Sequence, residues 1–442
     1  MYNTIGIRHE DMYLLERRAP LTPRHVARLV NEHHLKFIVQ SSDKRIFSED
    51  EYRKAGAIVV SDLKEANIII GIKEIPEHVF EKNKIYVFFS HVSKGQSHNM
   101  SMLSRMMELG CSLVDYEKVT DDQGKRLIFF GRYAGMAGMI NSLWAFGRRL
   151  KDEGISTPFA RIRQTHQYAS LEEARNEISE VGREIARHGL PEVLHPLVIG
   201  FMGYGNVSQG AHEICSLLPA EEIPATKLKE ALATNHIPSN ILIKTVFREE
   251  DMIEAIKPDE EFDLYDYYRH PENYRSKFQQ YLPFINILIN GAYWDARYPR
   301  HVTKDALATL YRNGNHNLKV IGDISCDPHG SIECTHAGME IDKPVFIYDP
   351  ESRKSTMGFD GKGIAVMSVD ILPSEMPGES SNGFADVLVN YMRPMADADF
   401  SVSFDQLNLP APIKRGLILY NGKLTPDFEY LKQYLTQCPK AF

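Results

Sequence analysis

Short apolar segments alternate with helical patterns along most of the chain, and this alternation limits the folds that the chain can adopt. In the first 130 residues, strands are expected at 37–40, 57–60, 68–70, 85–89, 112–115 and 127–130. Helices are expected at 24–31, directly after the Thr22-Pro23 start signal, and at 100–109. Continuously apolar strands separated by helices predict a parallel sheet covered on both faces. The first part of the chain is therefore expected to be an α/β domain.

Residues 197–211 predict a second α/β domain with a binding turn. An apolar strand at 197–202 is followed by Gly203 and Gly205 and by a helical pattern that runs toward Leu218. Such a turn lets the backbone approach a pyrophosphate, which the helix N-terminus stabilises, although an ordinary glycine turn is the alternative. Further strands are expected at 241–246, 285–289 and 320–324, and helices after Gly138 and at 171–188.

The glycine turn departs from the dinucleotide-binding fingerprint in two respects. Ser208 stands in place of the third glycine, and Gly210 follows two residues later. No acidic residue stands where a ribose hydroxyl would be read, because Pro224 follows the short segment expected there. This absence favours NADP(H) over NAD(H), with Lys244 or Arg248 as candidate partners of the additional phosphate.

Length and composition narrow the class of protein. A chain of 442 residues is long enough for two or three domains, and its net charge of −8 argues against a nucleic-acid surface. Apolar runs stay well short of the roughly 20 residues that span a bilayer, and the N-terminus lacks the features of a signal or transit peptide. A cytoplasmic location is therefore expected. The cysteines are few, odd in number and widely spaced, as reduced thiols would be: Cys111, Cys215, Cys326, Cys334 and Cys438.

Two ionisable side chains follow neighbouring predicted strands. Lys73 comes just after 68–70, and His91 comes just after 85–89. Ligands of open parallel sheets bind beyond the carboxyl ends of the strands, so both side chains are expected in one crevice, with plain surface loops as the alternative. Histidine titrates near neutrality, and a neighbouring cation with partial burial lowers the pKa of a lysine. The pair predicts acid–base chemistry.

Other candidate residues carry more than one interpretation. Arg18 and Arg126 suit carboxylate substrates, although Arg18 is also placed to pair with Glu16 at the surface. Residues 326–336 bring together Cys326, Asp327, His329, Cys334 and His336, but at irregular intervals. That spacing does not predict a metal site, and a loop that faces the nicotinamide is the better interpretation. Patterns typical of serine hydrolases, thiol oxidoreductases and P-loop NTPases are absent.

Taken together, these residues resemble the alanine dehydrogenase / saccharopine dehydrogenase family. Within it the chain is most similar to the lysine–2-oxoglutarate reductase branch, the reductase half of animal and plant aminoadipic semialdehyde synthases. The resemblance covers nearly the whole chain and is carried by residues 7–8, 16–23, 70–74, 87–91, 115–117, 133–141, 203–211, 288–294, 323–333 and 368–373.

The resemblance implies an activity and a set of residues. The expected reaction is reductive condensation of L-lysine with 2-oxoglutarate to saccharopine by NADPH or NADH. Lys73 and His91 are implied as the acid–base residues, tuned by Glu74 and Glu117, and Arg18 and Arg126 as the residues that bind the dicarboxylate. The implied cofactor contacts are Gly203, Gly205, Asn206, Val207, Asn290, Gly291, Asp323 and Asp327.

The resemblance also implies an architecture of two Rossmann-like domains with parallel sheets and an active site in the cleft between them. Residues 1–137 with 331–442 are expected to form the substrate domain, and 138–330 the dinucleotide domain. The alternatives are a lysine-forming, NAD-linked saccharopine dehydrogenase and, in another class, a non-catalytic nucleotide-binding module. Small-molecule partners are expected, without nucleic acid or membrane. Homo-oligomerisation, the physiological direction, the amine substrate and the role of a polar, aromatic insertion at 257–280 stay open.

Overall fold

The structure is a computed structural model that describes residues 4–234, 237–258, 260–314 and 316–435, and it divides into two compact units. Of the described residues, the first unit contains 4–130 and 377–435, and the second contains those between Gly131 and Met376. Cys438 lies outside the described residues, as does Asp259 within the insertion at 257–280.

The strands are numbered along the chain. They are β1 (Thr4–Ile7), β2 (Lys36–Gln40), β3 (Ile58–Val60), β4 (Ile68–Ile70), β5 (Ile85–Phe88), β6 (Ser112–Asp115), β7 (Val198–Met202), β8 (Ala220–Glu222), β9 (Leu242–Phe247), β10 (Ile253–Ala255), β11 (Tyr274–Ser276), β12 (Ile287–Asn290), β13 (Val320–Asp323), β14 (Val345–Asp349), β15 (Lys354–Met357), β16 (Ile364–Met367), β17 (Leu417–Tyr420) and β18 (Lys423–Leu424).

The α-helices are numbered in the same way. They are α1 (Pro23–His33), α2 (Glu49–Lys54), α3 (Ser97–Glu108), α4 (Gly131–Asp152), α5 (Leu171–His188), α6 (Asn206–Cys215), α7 (Ala225–Ala233), α8 (Glu249–Met252), α9 (Leu264–Arg269), α10 (Lys304–Asn313), α11 (Pro377–Asp397), α12 (Ala411–Arg415) and α13 (Lys432–Leu435). Over the described ranges, none of these helices combines the length and apolar character needed to cross a lipid bilayer.

The first unit is built on one sheet with the order β18-β17-β6-β5-β4-β1-β2-β3. Strands β1 to β6 pair in parallel, as expected from their continuously apolar sequences, and β17 returns antiparallel to β6. The strand predicted at 127–130 is wrong. These residues form no strand and lead into α4, while Ile128 and Phe130 pack into the core of the unit from a loop.

The second unit is built on a sheet with the order β15-β14-β16-β13-β12-β7-β9-β8. In this sheet order, each pair of neighbouring strands from β16 across to β8 is parallel. Strand β14 runs antiparallel to both β15 and β16. The strand beside β7 is β9, and β8 lies at the edge. The two Rossmann-like units with mainly parallel sheets agree with the predicted fold class.

The boundaries between the units differ from those predicted from the sequence. The division falls at 130/131 and 376/377, rather than at 137/138 and 330/331. Two causes account for the difference. Helix α4 begins at Gly131 and is continuous to Asp152, and residues 331–376 add three strands to the second sheet instead of returning to the first. Only the chain from Pro377 onward completes the first unit.

The polar, aromatic segment 257–280 is a small subdomain of the second unit. Strand β11 pairs antiparallel with β10, and α9 packs its aromatic residues against that ribbon. The rings of Tyr267 and Tyr274 are 5.4 Å apart in an edge-on arrangement, and Phe262 contacts both. These contacts account for the aromatic composition of the segment as local packing.

Helices α4 and α6 approach each other so closely that their backbones touch. A Cβ atom added to Gly210 of α6 would lie 1.9 Å from the carbonyl oxygen of Arg132, and one added to Gly135 of α4 would lie 1.8 Å from that of Val207. Distances this short leave no room for any side chain. Gly210 therefore provides the close helix packing that the missing third glycine would otherwise provide.

Gly210→Ala is expected to lower the free energy of unfolding by about 3 kcal/mol or more, because the added methyl group would overlap the backbone of α4. Gly205→Ala is the matched control. Its added Cβ would meet no atom of the described residues within 4 Å, so a loss of about 1 kcal/mol or less is expected at this N-cap position. Urea denaturation followed by circular dichroism measures both. Equal losses would contradict the contact between the helices.

Candidate functional site

The sheet of the first unit brings the loops of Lys73 and His91 to the same edge. Lys73 follows β4 and His91 follows β5, and these strands are parallel neighbours with Ile70 opposite Val87. His91 has a φ of 51°, a left-handed conformation that is uncommon for a residue with a side chain and is found often at functional sites. The adjacency expected from the sequence is present, while the catalytic roles of the two residues stay predictions.

His91 is paired with Glu74, the residue after Lys73. The Nδ1–H of His91 donates a hydrogen bond to Oε1 of Glu74, and both side chains are largely buried. Burial opposes the charged imidazolium, but the hydrogen bond and negative charge of Glu74 outweigh it and raise the pKa of His91. Burial likewise opposes the carboxylate of Glu74, yet His91 holds the pKa of Glu74 below its ordinary value. A proton fixed at Nδ1 leaves Nε2 as the exchanging nitrogen.

Lys73 is held at its backbone and is half-buried at its side chain. Its Nζ lies 5.1 Å from the centre of the Tyr13 ring, within the range of a cation–π contact. Its amide N–H donates to Oε2 of Glu10 over 3.0 Å, and the preceding amide of Ile72 donates to Oε1 over 2.7 Å. Glu10 is buried, and burial together with repulsion from Glu16 raises its pKa to about 7.

A second buried carboxylate, Asp115, lies at the end of β6. Its Oδ2 accepts hydrogen bonds from the amide and the hydroxyl of Ser90, and its Oδ1 accepts from the amide of Glu117 over 2.8 Å. Burial and the charge of Glu117 raise the pKa of Asp115 to about 6. Neither Glu10 nor Asp115 is among the candidate residues predicted from the sequence. An acid that ends a predicted strand is the signal that could have found Asp115, whereas Glu10 lies beyond β1, a strand that the sequence pattern does not predict.

The two candidate substrate arginines have acidic partners of their own. Arg18 is buried rather than exposed, and its Nε and Nη2 contact both carboxylate oxygens of Glu16 at 2.8 and 2.5 Å. Its guanidinium also lies 4.2 Å from the centre of the Phe130 ring. Arg126 is 44% exposed and pairs with Glu117 over 3.0 Å. Of the two arginines, Arg126 is therefore the more accessible to a carboxylate from solvent.

The glycine turn of the second unit has the shape of an anion cradle. Gly203 has a φ of 88°, and a Cβ there would lie 3.0 Å from Cα of Ala292, so only glycine fits without strain. Gly205 borders open space, and the amides at the start of α6, including those of Asn206 and Val207, have no side-chain cap at the N-cap position. Among the described residues the buried Oγ of Ser208 has no hydrogen-bond partner. These features fit a pyrophosphate.

The residues predicted near the nicotinamide end follow β12 and β13. Asn290 and Asp323 are buried and bond to each other, with Asn290 Nδ2 at 2.8 Å from Asp323 Oδ1, and Thr335 donates to Asp323 Oδ2 over 2.6 Å. Burial raises the pKa of Asp323 against the hydrogen bonds that lower it. Gly291 packs against Ser208, and the carbonyl of Asp327 accepts from Gly330. Asn290 and Asp323 thus hold the loops after both strands.

The strand order corrects the expected location of the ribose contact. Because β9 rather than β8 lies beside β7, the residue that follows β9 is the one next to the glycine turn. That residue is Arg248, whose guanidinium lies 5.0 Å from the ring centre of Tyr204 within the turn. Lys244 instead pairs with Glu222 over 2.7 Å. The expected location at Pro224 holds only where the second strand of the unit lies beside the first, and β8 does not lie beside β7.

The candidate cysteine and histidine cluster at 326–336 has no arrangement suited to a metal. Across the described parts of the chain, no group of three or more histidine, cysteine, aspartate or glutamate side chains could hold an ion. Cys334 is fully enclosed, and burial raises its pKa strongly. His336 instead packs against the ring of Phe346, with centres 4.6 Å apart.

The chain is similar to several enzymes along nearly its whole length. It is 36% identical over 99% of its residues to an alpha-aminoadipic semialdehyde synthase of Arabidopsis thaliana, and 34% identical over 97% to the mitochondrial one of Bos taurus. It spans 42% and 47% of those two proteins, about half their length. It is 26% identical over 89% of its residues to saccharopine dehydrogenase [NAD(+), L-lysine-forming] of Neurospora crassa, of which it covers 91%.

A family model and solved structures support the fold. Residues 6–137 match the model described as alanine dehydrogenase/PNT, N-terminal domain. An L-alanine dehydrogenase structure superposes with a TM-score of 0.63 over 98% of this chain and 99% of that one at 16% identity. The structure of a transhydrogenase from Sinorhizobium meliloti superposes with a TM-score of 0.53 over 96% of this chain and 100% of that one, at 14% identity. At these identities the structures show the fold alone.

Glu74→Gln is expected to lower the pKa of His91, because the substitution removes the carboxylate that favours the imidazolium by its hydrogen bond and its negative charge. Glu117→Gln is the matched control, since Glu117 acts on His91 by charge alone and ranks below Glu74 among the causes of its shift, so a smaller fall is expected. NMR titration of the His91 ring proton measures both. An unchanged pKa in Glu74→Gln, or a larger fall in Glu117→Gln, would contradict the pairing.

Proposed function

Because the chain belongs to the alanine dehydrogenase / saccharopine dehydrogenase family, we propose that it is an NAD(P)-dependent oxidoreductase of lysine metabolism. The proposed reaction is the reductive condensation of L-lysine with 2-oxoglutarate to saccharopine. The observation that carries the proposal is the His91–Glu74 pair beside the loop of Lys73, at the carboxyl edge of a parallel sheet. A module that only binds a nucleotide has no use for such an acid–base arrangement.

The reaction needs several proton transfers before reduction, and two of them are assigned to residues of this chain. The ε-amine of the substrate lysine must lose a proton to attack the keto carbon of 2-oxoglutarate, and the resulting hydroxyl must gain one to leave as water. His91 suits the donor role because the hydrogen bond and charge of Glu74 raise its pKa against burial and so favour the protonated imidazolium. The Lys73 amine is assigned the acceptor role. Glu74 keeps the imidazole oriented, and Glu117 adds negative charge near it.

The substrate 2-oxoglutarate is a dianion, and the arginines of the first unit suit its two carboxylates. Arg126 is accessible and can exchange its contact with Glu117 for a substrate carboxylate. Arg18 is fixed by Glu16 and Phe130, so its fork is held in one orientation before substrate arrives. We therefore assign residues 1–130 and those from Pro377 onward to the substrate-binding and acid–base roles.

The second unit is assigned to the nicotinamide dinucleotide. Gly203, Gly205, Asn206 and Val207 would hold its pyrophosphate with backbone amides, and Ser208 offers an unused hydroxyl close by. Residues at the ends of β12 and β13 would support the nicotinamide, namely Asn290, Gly291, Asp323 and Asp327. When bound, the reduced cofactor would supply the hydride that adds to the imine carbon and reduces the protonated imine to the secondary amine of saccharopine.

We propose NADP(H) as the preferred cofactor. Arg248 follows the strand next to the glycine turn and stacks on Tyr204, so its planar cation is placed for the phosphate of an NADP ribose. A lysine-forming, NAD-linked reaction is the second candidate, supported by the similarity to the Neurospora crassa enzyme along most of both chains. The two candidates share the acid–base residues and differ in cofactor and direction.

We propose that the partners of the chain are small molecules alone: L-lysine and 2-oxoglutarate as substrates and saccharopine as product. We also propose a cytoplasmic location, whereas the bovine relative is named as mitochondrial. The negative net charge of −8 is the observation behind the exclusion of nucleic acid.

Lysine-dependent oxidation of NADPH in the presence of 2-oxoglutarate, followed by absorbance, is the test of the activity. The double variant Lys73→Met with His91→Gln is expected to lose about 100-fold or more of the rate, because both proton-transfer groups are removed. The matched control is Lys94→Met with His98→Gln, an exposed lysine and histidine a few residues further along, which is expected to keep the wild-type rate.

Two results would contradict the proposal at different points. Full activity in the Lys73 and His91 double variant would show that the catalytic assignment is wrong while the reaction stands. No oxidation of NADPH or NADH with lysine, ornithine or ammonia as amine would show that the reductase assignment itself is wrong.

Arg248→Ala is expected to weaken NADPH binding about tenfold or more and to leave NADH binding nearly unchanged, because only NADPH carries the additional phosphate. Lys244→Ala is the matched control, since its amine is engaged by Glu222 and no change in preference is expected. Fluorescence titration of the two reduced cofactors measures the ratio of dissociation constants. A ratio that stays at the wild-type value in Arg248→Ala would contradict this assignment.

A further inference from the structure

The backbone hydrogen bonds of the first sheet end just before the candidate acid–base residues. The amide of Gly71 donates to Val87 over 3.0 Å, and that of Phe89 donates to Ile72 over 2.9 Å. The next amides, of Ile72, Lys73 and Ser90, no longer have a strand opposite them. Buried amides need an acceptor, and in this structure side-chain carboxylates supply it.

Glu10 supplies the acceptors for the loop of Lys73. Its two oxygens each take one amide, that of Ile72 at 2.7 Å and that of Lys73 at 3.0 Å. Strand β1 continues alongside β4 only as far as the bond from the amide of Arg8 to Ile70. The Glu10 side chain thus takes over from β1 at the point where strand pairing stops, and it fixes the backbone from which the Lys73 side chain extends.

Asp115 supplies the acceptors for the loop of His91. One of its oxygens takes the amide and hydroxyl of Ser90, and the other takes the amide of Glu117. The side chain is fully buried. A single carboxylate therefore joins the residue before His91 to the residue whose charge acts on His91.

We propose that Glu10 and Asp115 are positioning residues that fix the backbone at Lys73, His91 and Glu117 for proton transfer. This inference rests on the proposed function, because it takes those three residues to be the acid–base group. Neither carboxylate is assigned contact with substrate. Each acts through the loop that it holds, and the charge of Asp115 in addition raises the pKa of His91. A shift of about 1 Å in such a loop is enough to lower a rate about 100-fold.

The chemistry of the two side chains fits positioning better than stabilisation. Burial raises the pKa of both carboxyl groups, so each charged form is held at a cost in folding free energy. The repulsion of Glu16 on Glu10 and of Glu117 on Asp115 adds to that cost. Each carboxylate offers two acceptor oxygens and no donor. An amide of the same shape offers one acceptor oxygen and one NH₂ donor.

Glu10→Gln and Asp115→Asn test the proposal, because each replaces one of two acceptors by an NH₂ group that faces a backbone N–H. Both variants are expected to lower kcat about tenfold or more, with the KM values for lysine and 2-oxoglutarate changed less than about threefold. Amide hydrogen exchange is expected to become faster at residues 71–75 in Glu10→Gln and at 89–92 in Asp115→Asn.

Tyr420→Phe is the control for the loss of a buried hydrogen bond alone. The Tyr420 hydroxyl donates to the carbonyls of Phe400 and Val402 in the same unit, away from the loops of Lys73 and His91. This variant is expected to lose stability while its kcat and the exchange rates at 71–75 and 89–92 stay at wild-type values. If Glu10→Gln does not fold, Glu10→Asp is measured in its place, because it keeps two acceptor oxygens on a shorter side chain. The same fall in kcat and the same faster exchange at 71–75 are expected.

The outcomes separate this inference from the proposed function. Wild-type exchange rates at 71–75 in Glu10→Gln, or a kcat no lower than that of Tyr420→Phe, would overturn the positioning role even with the reaction confirmed. Hydrogen exchange needs no substrate, so it tests the two carboxylates on any outcome of the lysine assay. A wild-type protein without lysine-dependent activity would overturn the function, together with the catalytic purpose assigned to the two residues.

Discussion

Parallel pairing of β4 with β5 is the constraint on which the candidate site depends. Both strands end at the same edge of the sheet, so the loops of Lys73 and His91 begin side by side although 18 positions separate the two residues in the chain. The pairing also brings Glu74 to His91, where its hydrogen bond and its charge raise the pKa of the imidazole despite burial. A one-residue slip of the register would place these side chains on opposite faces of the sheet.

Carboxylates recur at this edge in three different roles. Glu74 sets the protonation of His91, Glu16 and Glu117 pair with the two arginines, and Glu10 and Asp115 accept backbone amides. Burial, together with repulsion from neighbouring acids, raises the pKa values of Glu10 and Asp115 and costs stability. Functional sites commonly carry such a cost, because chemistry requires charged groups in fixed places that a stable core would leave apolar.

Much of the fold could be predicted from local sequence. The parts that could not be predicted depend on contacts between residues far apart in the chain or on patterns shared by loops and strands. The helix at 171–188 is predicted with its observed bounds, and in the structure Ser170 caps it and its buried residues lie at helical spacing. The prediction of a strand at 127–130 is wrong, because apolar residues that are buried in a loop give the same sequence pattern as apolar residues that are buried in a sheet. Strand order is not local either, so the position of Arg248 beside the glycine turn required the sheet itself. The roles of Glu10 and Asp115 likewise depend on contacts with amides far away in the chain.

The central claim is that the chain joins lysine to 2-oxoglutarate by reduction of their imine. Incubation of the protein with NADPH deuterated at the transferable position, L-lysine and 2-oxoglutarate, followed by mass spectrometry of the products, tests it most directly. The account requires saccharopine that carries one deuterium on the former keto carbon. Oxidation of the cofactor without this product, or saccharopine without the deuterium, would contradict the account.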